Sequence, residues 1–216
     1  MGNGLQGKER YCWWEKTGSG KSATGNTHPS YNTKSMRKAK GLFAGRSMVV
    51  VDTPGFRVTL EANLKTAEKI KNALQNHHEG VHAIVLVMQL GQITKEDHET
   101  VEWVTKMFHT KAEKYSILLF TRAEELEHPD DLKGFIEGSP YLKGLARKCG
   151  NRYLGFSNRA IGVARDQQVA ELILLGEGGG THGFLQSRFE MLNATTLCKL
   201  CPGCAAAAVV LSQYRL

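Results

Sequence analysis

Residues 10–14 read Arg-Tyr-Cys-Trp-Trp, a run of strand formers, and lead directly into Glu15-Lys16-Thr17-Gly18-Ser19-Gly20-Lys21-Ser22. A strand that empties into a glycine turn closed by Lys-Ser is the entry to an α/β unit, and it restricts the fold more than any other stretch of the chain. In such a turn the backbone N–H groups converge on an anion. Lys21 reaches β- and γ-phosphates, and the Ser22 hydroxyl holds Mg²⁺. Lys16, Thr17, Gly18, Ser19, Gly20, Lys21, Ser22 and Ala23 are therefore candidate nucleotide-binding residues. The full pattern G-x-x-x-x-G-K-[ST] requires glycine seven places before Ser22, and Glu15 stands there.

The rest of the chain alternates strand and helix signals. Gly25, Asn26 and Pro29 halt the first helix early, and 27–40 reads as an irregular, basic, polar loop. Residues 48–51 (Met-Val-Val-Val) form a short buried strand ending in Asp52-Thr53-Pro54-Gly55. Leu60, Leu64, Ala67, Ile70 and Leu74 recur at helical spacing. A second buried strand covers 82–88, and a helix follows over 94–108 with Thr94 as N-cap before Asp97 and with Val101, Val104 and Phe108 inward. A third strand covers 116–121. A helical stretch from 131 to 148 is interrupted near Pro140, a weaker strand covers 152–156, and a closing helix covers 163–175. This order implies right-handed βαβ units, a mainly parallel sheet flanked by helices, and ligands at the carboxyl ends of the strands. After Gly176 the period dissolves, so the expected division is a nucleotide-binding domain over 10–176 and a flexible tail over 177–216.

At 216 residues the chain has room for one such domain and a short appendage. A formal charge of +7 suits an anionic partner. Lys34, Arg37, Lys38, Lys40 and Arg46 are scattered without interleaved aromatics, however, which argues against a nucleic-acid surface. The N-terminus lacks an apolar signal core, and Gln6 stands where a myristoylation motif needs Ser or Thr, so a reducing cytoplasmic setting is expected. Cys12 and Cys149 stand apart. Cys198, Cys201 and Cys204 near the C-terminus leave three readings open: an incomplete metal site, a palmitoylated membrane contact, or a plain irregular tail. The apolar stretch 205–211 is far short of the ~20 residues that cross a bilayer. His77, His78 and His82 read as surface or packing residues.

Five segments in order resemble one family, the immunity-associated nucleotide-binding proteins (GIMAP or IAN proteins). They are Lys-Thr-Gly-Ser-Gly-Lys-Ser-Ala-Thr-Gly-Asn (16–26), Val-Val-Val-Asp-Thr-Pro-Gly-Phe (49–56), Gln-Leu-Gly-Gln-Ile-Thr-Lys-Glu-Asp (89–97), Leu-Phe-Thr-Arg-Ala-Glu-Glu-Leu (119–126) and Ser-Asn-Arg-Ala (157–160). The resemblance implies a septin-related, Ras-like P-loop GTPase domain that binds GTP or GDP with Mg²⁺. Asp52 ends a strand where a carboxylate holds Mg²⁺ through water, and Gly55 lets its N–H approach a γ-phosphate; the competing reading of Asp-Thr-Pro-Gly is an ordinary turn. Thr33 lies 19 positions before Asp52, where the resemblance places a switch threonine, and is otherwise a solvated loop residue. Ser22, Thr33 and Asp52 are thus the candidate metal ligands. For the base, Arg122-Ala123-Glu124-Glu125 stands where Ras-like proteins carry Asn-Lys-x-Asp. Glu125 supplies two carboxylate oxygens for guanine N1 and N2, with Arg122 beside it, while Ala123 lacks the lysine stem that covers the ring. Asn158 matches the motif whose amide contacts the guanine O6 side.

Four departures bear on activity. Glu15 removes a glycine whose freedom is worth roughly 1–2 kcal/mol where φ is positive, and brings an anion toward the phosphates. The 25 residues from Thr27 to Val51 are fewer than relatives place between these motifs, which clips the first switch. Phe56 and Arg57 follow Gly55 where catalysis uses a water-orienting glutamine, and Gln92 stands where several relatives carry an arginine that acts across a dimer. The expected protein is a guanine-nucleotide-binding switch or scaffold with slow or absent hydrolysis. The resemblance further implies homo- or hetero-dimers with family members, roles in lymphocytes, and peripheral contact with intracellular membranes through the tail. An active GTPase and a nucleotide-free interaction protein are the competing expectations.

Overall fold

The computed structural model describes residues 9–14, 37–43, 46–52, 65–69, 72, 83–91, 93–108 and 112–177. Six strands form one sheet: β1 (Glu9–Trp14), β2 (Arg37–Phe43), β3 (Arg46–Asp52), β4 (Ala83–Gln89), β5 (Ser116–Thr121) and β6 (Tyr153–Phe156). Their spatial order is β2-β3-β1-β4-β5-β6. Strands β3, β1, β4, β5 and β6 run parallel, and β2 pairs antiparallel with β3.

Strands β4 and β5 are largely continuous apolar runs because both of their faces are covered. Along β4 and β5, Ile84, Leu86, Met88, Leu118 and Phe120 face one layer, together with Val101, Trp103 and Val104 of α1 (Lys95–Phe108), Leu132 and Ile136 of α2 (Asp131–Glu137), and Leu142 and Leu145 of α3 (Pro140–Lys148). The alternate residues Ala83, Val85, Val87, Ile117 and Leu119 face the other layer. They meet Leu154 and Phe156 of β6 and Leu172 and Ile173 of α4 (Gly162–Glu177). Residues 65–69, within the helix expected over 60–74, are helical, and Ala67 joins the first layer.

Local chemistry sets the boundaries. At the start of α1, Thr94 N–H and hydroxyl donate to the Asp97 carboxylate at 2.8 and 2.7 Å, while Asp97 N–H returns a 3.4 Å bond to the Thr94 hydroxyl oxygen. This reciprocal cap satisfies orphan donors of the first turn. The expected break near Pro140 separates α2 from α3, with Ser139 capping Leu142 N–H at 3.4 Å and Pro140 in the first turn. Gly150 (φ 64°) and Asn151 (φ 55°) then turn the chain into β6.

One expectation is corrected. Residues 37–40, read as part of an irregular loop, belong to β2, which pairs with β3 from Arg37↔Asp52 to Phe43↔Arg46. A basic run carries no strand signal. As an edge strand β2 draws its ladder from β3, and Lys or Arg on an edge discourages further pairing.

Candidate nucleotide site at the carboxyl edge of the sheet

Every described candidate lies at the carboxyl ends of the parallel strands. Asp52 is the last residue of β3 and pairs with Trp13, one residue before the end of β1. The carboxyl end of β1 therefore lies beside Asp52. Across the same edge, Gln89 of β4 pairs with Thr121 of β5, which pairs with Phe156 of β6. The ends of β4 and β5 are further joined by Leu90 N–H to Thr121 C=O at 3.0 Å and by the buried Thr121 hydroxyl to Met88 C=O at 3.3 Å.

From β5 the chain makes a left-handed step at Arg122 (φ 65°, ψ 32°) into a single 3₁₀ turn, Ala123–Glu125. A non-glycine residue there costs about 1 kcal/mol, and such strain concentrates at functional loops. Glu125 N–H donates to Arg122 C=O at 3.0 Å and Leu126 N–H to Ala123 C=O at 3.2 Å, which closes the turn. The Arg122 guanidinium pairs with the Glu125 carboxylate. Both side chains are about half exposed, and a carboxylate has enough lone pairs to accept from Arg122 and from a planar N–H edge together.

Glu124, beside it, points the other way. Its carboxylate lies 3.5 Å from Arg159 Nε and is three-quarters buried. Burial alone would raise its pKa, but the hydrogen bond with Ser157, its own backbone N–H and the charges of Arg159 and Arg122 bring it below the usual value. It stays ionised. The loop after β6 carries Ser157, Asn158 and Arg159, and Gln168 of α4 grips it: Ser157 N–H donates to Gln168 Oε1 at 2.6 Å and Gln168 Nε2 donates to Ser157 C=O at 3.3 Å. Arg159 N–H donates to the Ser157 hydroxyl oxygen at 3.2 Å, and Ala160 N–H donates to Ser157 C=O at 3.2 Å.

The two loops touch through Gly155. A Cβ placed on Gly155 would lie 3.0 Å from the Ala123 Cβ and 3.7 Å from Leu132 Cδ2. Gly155→Ala is accordingly expected to push the 123–125 turn outward and cost ~1–3 kcal/mol, the usual range for overpacking. Ala123→Gly in the same chain removes the clash and should recover most of that loss in urea unfolding.

The structure thus brings Arg122, Glu125 and Asn158 to one edge and places Asp52 further along it. Lys16, Thr17, Gly18, Ser19, Gly20, Lys21, Ser22, Ala23, Thr33 and Gly55 lie outside the described residues, as do Glu15 and Gln92. Sequence reasoning passed over Glu124, Gly155, Ser157 and Gln168. Their roles depend on contacts between separate elements, and Ser157 lies in a loop while Gln168 lies on the following helix, so no single period links them. Among the described residues no group of three His, Cys, Asp or Glu side chains is placed to hold a metal, and no helix is long and apolar enough to cross a membrane.

The sheet order, the two helical layers and the loops at this edge are those of a small-GTPase G domain. Toc33 from Arabidopsis thaliana, solved in complex with Mg²⁺ and GMPPNP, superposes with a TM-score of 0.60 at 18% identity, covering 79% of this chain and 85% of its own. Era from Aquifex aeolicus, bound to GDP·AlF4⁻, superposes at 0.53 with 15% identity, covering 77% and 56%. The AIG1 family profile matches residues 15–177, and the chain belongs to the AIG1 family. Human GTPase IMAP family member 8 is 34% identical over 146 residues, covering 65% of this chain and 22% of that protein. Immune-associated nucleotide-binding protein 10 of Arabidopsis thaliana is 32% identical over 182 residues, covering 76% and 39%. The chain therefore spans well under half the length of these relatives.

Proposed function

We propose that this chain binds GTP and GDP with Mg²⁺ through a G domain over 10–176 and acts as a regulatory switch or scaffold with slow or absent hydrolysis. The observation that carries the reading is the common edge. Asp52 and the carboxyl end of β1 lie two to three strand spacings, about 10–14 Å, from the Arg122–Glu125 turn, a span that suits phosphates at one end and a base at the other. The donor set fits the ligand. Glu125 offers an ionisable carboxylate to guanine N1 and N2, Asn158 an amide to O6, Lys21 a cation to the phosphates, and Ser22, Thr33 and Asp52 oxygens to Mg²⁺.

The names of the relatives, a GTPase and nucleotide-binding proteins, and the GMPPNP, GDP·AlF4⁻ and Mg²⁺ bound to the structural neighbours support the same class. Slow turnover rests on Glu15, Gln92 and the absence of a glutamine after Gly55. By analogy with the chloroplast translocon components atToc33 and psToc159, for whose GTPase activity dimerisation is important, association across the nucleotide edge is part of the proposal, with family members as the partners. A cytoplasmic setting, a lymphocyte role and peripheral membrane contact through the cysteine-bearing tail extend it.

Titration with a fluorescent guanine nucleotide in Mg²⁺ tests the reading. Saturable binding is expected with Kd on the order of 10 μM or tighter, about −7 kcal/mol, and an adenine analogue should fail to compete. No saturation in that range defeats the proposal and favours the nucleotide-free scaffold that Glu15 and Ala123 also suit. Glu15→Gly should tighten binding. Rapid single-turnover hydrolysis by the unmodified chain would instead identify an active GTPase.

A further inference from the structure

We propose that Gln168 and Glu124 are positioning residues that hold the loop of Ser157 and Arg159 and thereby fix the Asn158 amide for the O6 side of a guanine base. The inference rests on the guanine-nucleotide reading above. Ser157 is anchored on both of its backbone polar groups by one side chain: the Gln168 amide accepts from its N–H at 2.6 Å and donates to its C=O at 3.3 Å. Only a carboxamide supplies an acceptor and a donor in that fork. Gln168 sits two turns into α4, a helix tied to the second core layer by Leu172 and Ile173, so the fork is mounted on a rigid support. From the neighbouring turn the Glu124 carboxylate lies 3.5 Å from Arg159 Nε and interacts with the Ser157 side chain.

Glu124 belongs to the turn that carries Glu125. The carboxylate proposed for guanine N1 and N2 and the amide proposed for O6 are therefore joined through Glu124 and Ser157, apart from any ligand. Without the fork, Ser157 would lose both of its backbone anchors to α4, and the loop that carries Asn158 would be held less firmly. Asn158 would then have to be ordered at the moment of binding, which lowers affinity. The tether to Glu124 supplies the second anchor, and its charge strengthens both the bond from Ser157 and the attraction of Arg159.

The variants are Gln168→Ala, Gln168→Glu and Glu124→Gln in the full chain. Alanine is a stronger helix former than glutamine, so Gln168→Ala keeps α4 intact. Glutamate keeps the acceptor for Ser157 N–H but opposes its carbonyl, which makes it a partial rescue. Two probes separate the readers: inosine diphosphate lacks the 2-amino group that faces Glu125, and 6-thioguanosine diphosphate replaces O6 with a poor acceptor. Gln168→Ala is expected to weaken GDP about tenfold, the net worth of roughly two neutral hydrogen bonds. It should also collapse the preference for GDP over the 6-thio analogue while leaving the preference over inosine diphosphate in place. Gln168→Glu and Glu124→Gln should fall between Gln168→Ala and the unmodified chain.

Amide hydrogen exchange in the ligand-free chain should rise at residues 157–160 in Gln168→Ala and stay unchanged in β5. If the unmodified chain binds GDP and Gln168→Ala binds it equally well, or loses both preferences in parallel, the positioning role is overturned. If the unmodified chain binds no guanine nucleotide, the parent reading fails and takes this inference with it.

Discussion

Phe120→Ala is expected to lower the free energy of unfolding by about 3–5 kcal/mol, the largest effect of any single truncation in the described core. Phe120 has no solvent exposure, lies on β5 between two parallel neighbours, and sets its ring edge-on to Phe135 of α2 with centroids 5.7 Å apart and planes at 83°. Truncation loses the transfer free energy of the ring, the aromatic pair and the contacts around the cavity. The cavity cannot collapse easily, because Met88 and Leu118 are fixed by the strands and Leu132 and Ile136 by α2. A loss of this size is a large share of the roughly 5–15 kcal/mol that holds a typical domain. Urea unfolding should show a lower midpoint at an unchanged slope; a change under about 1 kcal/mol would contradict the packing described. Phe120→Leu keeps most of the volume and should cost under half as much. The residue is two positions from Arg122, so the truncation should also loosen the strained turn.

The same contrast between strand interior and loop explains what the sequence made legible. Residues 83–88 and 117–120 are apolar without alternation, which for strands this short means burial on both faces, and the structure puts their alternate residues into two separate layers. Thr94, Asp97 and Pro140 marked helix boundaries through interactions three or four residues long, and those survive into the fold. Strand β2 was invisible because its pairing partner, not its own side chains, makes it a strand. At the candidate site, Arg122, Glu125 and Asn158 could be nominated from motif order. The left-handed conformation of Arg122 could not, since arginine carries no preference for it. Nor could the Gln168 fork, in which one polar side chain meets a backbone 11 residues away, or the need for glycine at 155, which is set by Ala123 on a different strand's loop.

The second large effect is expected at alkaline pH. Cys149 is fully buried, and burial pushes its thiol up to about 12 against an ordinary value of 9.0; Glu113 adds to the rise, while Arg152 and Lys148 oppose it. Tyr141 is likewise pushed up to about 12 from 10.0, by burial first and then by Glu102, Asp97 and Cys149. Its ring stacks on His98 with centroids 3.7 Å apart, and its hydroxyl is buried without a hydrogen-bond partner among the described residues. Both groups are neutral when folded. Well below pH 9 they are neutral in the unfolded chain as well, so they carry no pH dependence there. As the pH climbs from 9 to 12 the unfolded chain releases the Cys149 proton and then, above 10, the Tyr141 proton, while the folded state retains both until about 12.

The folded state then binds more protons than the unfolded one, and stability falls with rising pH by about 1.4 kcal/mol per unit for each group. Lysine deprotonation shifts the background over the same interval, so the informative quantity is the difference from Cys149→Ala combined with Tyr141→Phe. That variant should be less stable than the unmodified chain at pH 8, because the thiol's packing is lost, although removing an unpartnered hydroxyl offsets part of the cost. Its stability should decline less steeply above pH 9, so the two curves converge or cross before pH 12. Parallel curves would mean that water reaches the interface between α1 and α3 in the native state. Stopped-flow reaction with a thiol reagent checks the same burial from another side, since Cys149 should react only at the rate at which the domain opens.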